Sequence, residues 1–309
     1  MYRRLGMAGR SGGIRRLGTT WRLVAAGTLI LLSAACGASD PASSTGENNA
    51  DGPSRAIVSL SPTATEMLYA IGAGEQVVAV DDRSDHPADA PVTDLSGYTP
   101  NVEAVLGYDP DLVVANADIG DLVAGLERAG VETLILPAAR TLDDTYAQIE
   151  QLGSATGQVG DAAELVAEMR TEIDRIVAGL PDRDAPLRYY HELDNTYYTV
   201  TDDTYLGAIY AMLGLRSIAS GGNGYPQLSA EYLLEQNPDV IFLADGQCCG
   251  VTPEVVAQRA GWGELTAVRD GRVYVLDEDI ASRWGPRVVD LVREIAAVIA
   301  GAPAVRPTS

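Results

Sequence analysis

The apolar positions of the chain fall into short runs divided by polar or glycine punctuation. Ile57-Val58-Ser59-Leu60 reads as a buried strand. Ser61-Pro62 opens a helix with proline in its first turn, the helical pattern continues over 65–71, and Gly72 stops it. A second apolar run at 77–80 completes a βαβ signature. The same grammar returns later, with a strand expected at 197–200, cap candidates from Thr201 to Asp203, a helix over 204–213 and a stop at Gly214. A tighter echo joins the halves: Glu103 stands seven residues before Pro110-Asp111, and Glu231 stands seven before Pro238-Asp239. An apolar strand follows each Pro-Asp pair, over 112–115 and over 240–244.

Between the halves, Leu165, Val166, Met169, Ile173, Ile176, Val177 and Leu180 recur at helical spacing until Gly179 and Pro181 end the run. Counted from Asp161 the helix has about 20 residues and a length of ~30 Å. One reading is an ordinary crossover inside a single large sheet. The restart of the grammar favours the other: an α/β protein of two Rossmann-like lobes joined by one long rigid backbone helix, with a ligand cleft between the lobes. On that reading the N-terminal lobe occupies 55–157, the helix 158–182 and the C-terminal lobe 183–303. A single stiff connection allows little relative motion, so the cleft is expected to be nearly preformed.

The first 35 residues follow a different pattern. They hold six arginines and no acid, then an apolar run over 23–32 that ends in Ser33-Ala34-Ala35-Cys36. A basic segment, a short apolar segment and small residues before a cleavage point make an export signal over 1–35. The apolar run is about half the ~20 residues that a spanning helix needs. A cysteine directly after the small residues is the position that becomes lipidated, and Cys36 is expected to anchor the chain to the membrane outside the cytoplasm. Leu32 stands one place early for a regular lipobox, which leaves a soluble secreted form as the alternative. The stretch 36–54, rich in Ser, Gly, Asn, Asp, Ala and Pro, reads as a disordered tether.

Charge narrows the choice of partner. The formal charge of −21 becomes −27 without the six signal arginines, and the chain contains no lysine. A surface this acidic argues against nucleic acid or anionic lipid as a partner. The absence of lysine excludes a P-loop lysine and a Schiff base. His191-Glu192 invites comparison with a zinc-hydrolase motif, but position 195 is asparagine and His86 is the only other histidine. No three-histidine cage can form, and no metal site is expected. With no nucleophile elbow and no glycine-rich phosphate loop, the chain is not expected to be an enzyme. Cys248 and Cys249, adjacent in a loop after the 240–244 strand, are the two thiols left if Cys36 is lipidated. Outside the cytoplasm such a pair oxidises, so a vicinal disulfide forming a rigid apolar surface is expected. Free, metal-binding or redox-active thiols are the alternatives.

Several stretches, taken in order, resemble the helical-backbone (class III) solute-binding proteins, the Fe/cobalamin periplasmic-binding family of ferric-siderophore and cobalamin binders. They are Ile57-Val58-Ser59-Leu60-Ser61-Pro62-Thr63-Ala64-Thr65-Glu66, the segment 101–115, Tyr225-Pro226-Gln227-Leu228-Ser229, the segment 231–244, Gly261-Trp262 through Gly271-Arg272-Val273-Tyr274, and 283–287. The resemblance spans 55–301. It implies an extracytoplasmic receptor, expected as a monomer, that hands a ferric siderophore or a cobalamin-like corrinoid to the permease and ATPase of an ABC importer, with no cofactor bound permanently. A sensor or scaffold of the same fold, or a binder of free metal or haem, is the alternative. By position in the matched stretches, Tyr98 and Tyr225 are expected as aromatic walls of the ligand site, although a tyrosine beside glycine can also simply pack a loop. Arg83, His191, Glu192, Asp279 and Trp284 complete the expected ligand contacts. Glu103 and Glu231 are expected to dock on permease arginines; the plainer reading makes them solvated acids at helix starts.

Overall fold

The computed structural model describes residues 55–301; the expected signal over 1–35, the tether over 36–54 and Cys36 lie outside the described residues. Two four-stranded parallel sheets organise the chain. The first contains β1 (Ile57–Leu60), β2 (Val77–Val80), β3 (Leu112–Ala115) and β4 (Glu132–Ile135) in the order β2-β1-β3-β4. The second contains β5 (Leu187–Glu192), β6 (Leu215–Ser217), β7 (Val240–Leu243) and β8 (Val273–Val275) in the order β6-β5-β7-β8. The second sheet thus repeats the strand order of the first. β1, β3 and β7 are buried along their whole length, as parallel strands covered on both faces must be.

The repeated Pro-Asp pairs have one structural role in both lobes. The Asp111 carboxylate accepts the Ala56 amide at 2.8 Å, and the Asp111 amide donates back to the Ala56 carbonyl at 2.8 Å. Asp239 does the same with Arg188, again at 2.8 Å in each direction. Each aspartate therefore clips the amino end of its central strand to the strand beside it.

In the N-terminal lobe, α1 (Pro62–Ala70) starts at Ser61, whose hydroxyl accepts the Ala64 amide, and Gly72 ends it at a φ of +79°. α2 (Val102–Leu106), α3 (Leu122–Arg128) and α4 (Leu142–Thr156) follow, the last opened by a capping box of Thr141 and Asp144. α5 (Val159–Ala178) then connects the lobes. The C-terminal lobe adds α6 (Tyr205–Met212), α7 (Ala230–Gln236), α8 (Gly246–Cys249), α9 (Pro253–Ala257), α10 (Thr266–Arg269), α11 (Glu278–Ser282) and α12 (Val288–Ala300). No helix among the described residues is long and apolar enough to cross a membrane.

One expected strand is absent from the sheet. Tyr197 turns left-handed at a φ of +70°, and the residues after it form a single bridge, Tyr198 to Gln227, while the Thr199 amide donates to the Pro226 carbonyl. The place beside β6 and β7 is taken by β5, which pairs with both.

α5 has 20 residues, about 30 Å of helix, and it is more than a tether between lobes. Ala162, Val166, Met169 and Ile173 are buried at i, i+4, i+7 and i+11, a stripe along one face. They join a continuous core that runs from Ile57, Met67 and Leu152 through Met169 and Ile173 to Tyr210, Phe242 and Ile295. Burial of each large side chain contributes about 1.5–3 kcal/mol. Arg170 pairs with Asp143 of α4 at 2.9 Å, and Glu172 with Arg293 of α12 at 3.1 Å. An apolar core shared by both sheets leaves the lobes little freedom to separate.

Candidate functional site

In an open parallel sheet, ligands bind beyond the carboxyl ends of the strands, where the order reverses. In the second sheet that point lies between β5 and β7, and the residues that follow them, Leu193 and Ala244, line a cavity of about 460 Å³. Ala138 and Ala139, just beyond β4, close it from the N-terminal lobe. Tyr205 and Leu206 come from the start of α6, Tyr225 from the preceding loop of α7, and Cys248 from α8. α11 and the residues after it supply Glu278, Asp279, Arg283 and Trp284. The lining is thus largely aromatic and apolar, with two acids and one arginine.

The aromatic rings are held from across the cleft. Trp284 Nε1 donates to Gln148 Oε1 at 2.9 Å, and the Tyr205 hydroxyl lies 3.2 Å from Thr145 Oγ1. Gln148 also donates to the Pro137 carbonyl at 2.7 Å, which fixes the segment that carries Ala138 and Ala139. The two lobes therefore orient one another's cavity walls.

Arg283 is the only basic residue lining the cavity among the described residues, and its charge is already matched. Its guanidinium bonds Glu66 at 2.8 Å, Asp279 at 2.7 Å, Asp85 at 3.1 Å and the Arg83 carbonyl at 3.1 Å. Arg287 donates to the same Glu66 carboxylate at 3.0 Å. Glu66 sits on α1, so this partly buried cluster ties the end of α11 to the N-terminal lobe. Burial raises the pKa of Asp279, against the pull of Arg283. Glu278 accepts the Cys248 amide at 2.9 Å and also the Gln247 amide.

The expected ligand residues occupy different depths. Tyr225, Asp279 and Trp284 line the cavity together. Tyr98 is 74% exposed, on a loop whose Gly97 packs so tightly on the carboxyl end of β1 that a Cβ would lie 2.5 Å from the Leu60 carbonyl oxygen. Arg83 is exposed, and its carbonyl rather than its side chain meets Arg283. His191 and Glu192 stand behind the wall and not on it, because the strand that carries them is covered on both faces. His191 Nδ1 lies 2.8 Å from the Tyr210 hydroxyl, its Nε2 has no partner, and burial pulls its pKa down to about 4. Glu192 is held by both arms of Arg259 at 2.6 Å, and that guanidinium stacks over Trp262 at 4.6 Å. Asp245 is buried beside this pair with neither carboxylate oxygen bonded, and burial together with Glu192 pushes it up to about 7.

The disulfide joins Cys248 and Cys249. Among the described residues no group of three or more His, Cys, Asp or Glu side chains is placed to hold a metal. Glu103 and Glu231 are both exposed and occupy the second position of α2 and α7, after the caps Asn101 and Ser229. Hydrogen bonds from its own amide and from Ser229 lower the pKa of Glu231. The residues that sequence reading missed are Glu66, Arg259 and Arg283, whose partners lie 217 or 67 positions away along the chain.

Residues 57–280 match the family described as periplasmic binding protein. YvrC of Bacillus subtilis, an uncharacterized ABC transporter substrate-binding lipoprotein, is 32% identical over 249 residues, 78% of each chain. A cobalamin-binding protein of Halobacterium salinarum is 32% identical over 252 residues, 78% of this chain and 68% of that one. Among solved structures, the periplasmic vitamin B12 binding protein BtuF of Vibrio cholerae superposes with a TM-score of 0.66 at 28% identity, covering 80% of this chain and 98% of its own. Two parallel lobes on a shared helix, a cleft at their carboxyl ends and a family match over most of the folded chain converge: this chain belongs to the periplasmic binding protein family.

Proposed function

We propose that the protein is an extracytoplasmic receptor, anchored to the membrane through Cys36, that captures a metal chelate of the corrinoid type and delivers it to the permease of an ABC importer. The carrying observation is the chemistry of the cleft. Tyr205, Tyr225 and Trp284 offer ring faces to a large flat ligand, while Glu278 and Asp279 offer acceptors. Arg283, the one cation in the lining among the described residues, is spent on Glu66, Asp85 and Asp279. A ring fringed with amides donates to such acceptors, whereas the carboxylates of haem or of an anionic ferric siderophore meet no free cation among the lining residues. The names of the Halobacterium and Vibrio relatives support the same class. Glu103 and Glu231, one per lobe on matching helix starts, fit a two-point dock on permease arginines, which sets register and encounter rate more than affinity.

Titration of the purified full-length protein with cyanocobalamin, a ferric hydroxamate siderophore and haem, followed by tryptophan fluorescence, tests this reading. Cyanocobalamin is expected to bind with a Kd below about 1 µM, and Tyr225→Ala to weaken it by about tenfold. Glu103→Ala and Glu231→Ala are expected to leave that Kd unchanged and to lower uptake in cells. Tighter binding of haem than of cyanocobalamin would overturn the corrinoid assignment.

A further inference from the structure

The cross-link between Cys248 and Cys249 is hard to explain as a brace. Stabilisation by a disulfide grows with the length of chain it closes, and here the sequence separation is 1. The turn is also held without it. The Cys249 amide donates to the Asp245 carbonyl at 3.2 Å and the Gly250 amide to the Gly246 carbonyl at 3.0 Å. Glu278 takes the Gln247 and Cys248 amides. Gly246 packs closely on β8, since a Cβ there would lie 2.6 Å from Val275 Cγ1 and force that side chain to shift. Both cysteines are nonetheless exposed, and Cys248 faces the cavity that Tyr225 and Trp284 line.

We propose that the Cys248–Cys249 disulfide is a specificity-determining contact, a sulfur plate on which the flat face of the ligand rests. The inference rests on the reading that the cleft binds a metal chelate. Two linked sulfurs are polarizable, carry no hydrogen to donate and cannot rotate apart, so they suit an apolar ring face. Two thiols or two hydroxyls at the same place would turn, donate hydrogen bonds and retain water. The backbone of the turn, fixed by Asp245, Gly246 and Glu278, brings the Cys248 side of the plate to the cavity wall.

The test compares cyanocobalamin binding by three forms of the full-length protein: oxidised wild type, the double variant Cys248→Ser/Cys249→Ser, and reduced wild type. Reduction uses a small dithiol, which gives two electrons and two protons to the S–S bond and closes to its own cyclic disulfide; the reagent is then removed, and thiol titration confirms two free thiols per turn. The double variant and the reduced protein are both expected to bind about tenfold more weakly, equal to about 1.4 kcal/mol, with melting midpoints within about 4 °C of the oxidised form. Binding within about twofold of wild type in both forms would overturn the plate and leave the chelate reading standing. A midpoint lower by more than about 4 °C in the reduced protein would overturn it too, by making the bond a brace. If the double variant fails to fold, reduced wild type alone decides. Oxidised wild type that binds no chelate removes the functional reading itself, and the plate with it.

Discussion

Each lobe buries one aspartate at the carboxyl end of its sheet, and the two are treated differently. Asp81, after β2, accepts the Arg83 amide at 3.0 Å; burial raises its pKa, and that hydrogen bond holds the rise back. Asp245, after β7, has no partner for either oxygen and lies beside a second carboxylate, Glu192. The neighbourhood of Asp81 is a network of neutral hydroxyls, in which Thr65 Oγ1 lies 2.9 Å from both Ser59 and Ser84. The neighbourhood of Asp245 is ionic, with Arg259 clamped on Glu192 and stacked on Trp262. One strand order therefore supports two kinds of strand end, and the charged kind lies behind the wall that carries Cys248 and Tyr225. Topology is shared; the chemistry is set lobe by lobe.

The ionic strand end depends most on Arg259. Arg259→Leu leaves the buried Glu192 carboxylate without its counterion and is expected to cost about 3–5 kcal/mol, read as a lower midpoint in urea unfolding. A loss under about 1 kcal/mol would mean that the ionic network is incidental. Asp245→Asn acts through pH. The folded pKa is raised, so the native state is fully favoured below the unfolded value near 4 and loses stability as pH rises through about 7. The asparagine variant escapes that loss, and on the order of 2 kcal/mol of relative stabilisation is expected between about pH 5 and pH 8. His191 works in the opposite sense: its folded pKa is lowered to about 4, so stability is full above 6.5 and falls as pH drops below it. His191 is present in both proteins and cancels from the difference. The smallest effect belongs to Asp81→Asn, for which the same pH comparison is expected to give less than about 1 kcal/mol, since the Arg83 amide already supports the charge. Equal pH responses from the two aspartate variants would erase the distinction between the lobes.

Much of the scaffold is legible locally. β2 and β3 are continuous apolar runs and β1 is broken only by Ser59, and each occupies the residues that the pattern marks. The connecting helix is equally plain, because its stripe has one period for 20 residues. β4, β6 and β8 are harder to see: β4 opens on Glu132 and Thr133, Arg216 sits inside β6, and β6 and β8 have only three residues each. The segment 197–200 misleads for the reverse reason, since Tyr-Tyr-Thr-Val has strand chemistry but its hydrogen bonds go to the neighbouring loop. In the site, the residues on loops after strands could be placed by position, which brought Tyr225, Asp279 and Trp284 to the cavity. Alternation along β5 could have placed His191 and Glu192 inside, but a strand buried on both faces hides that signal. The pairing of Glu66 with Arg283 and Arg287 has no local trace, because 217 and 221 residues separate the partners.

The aspartate clips at Asp111 and Asp239 have a practical consequence. Both fasten the amino ends of the central strands, on the side of each sheet away from the cavity, with backbone atoms that any replacement residue at Ala56 or Arg188 other than proline retains. Alignment of each sheet is thereby set without help from the cavity loops. Grafting a foreign loop between Ala244 and Val251, or after Leu193, is therefore expected to alter the cavity wall while the frame keeps its alignment.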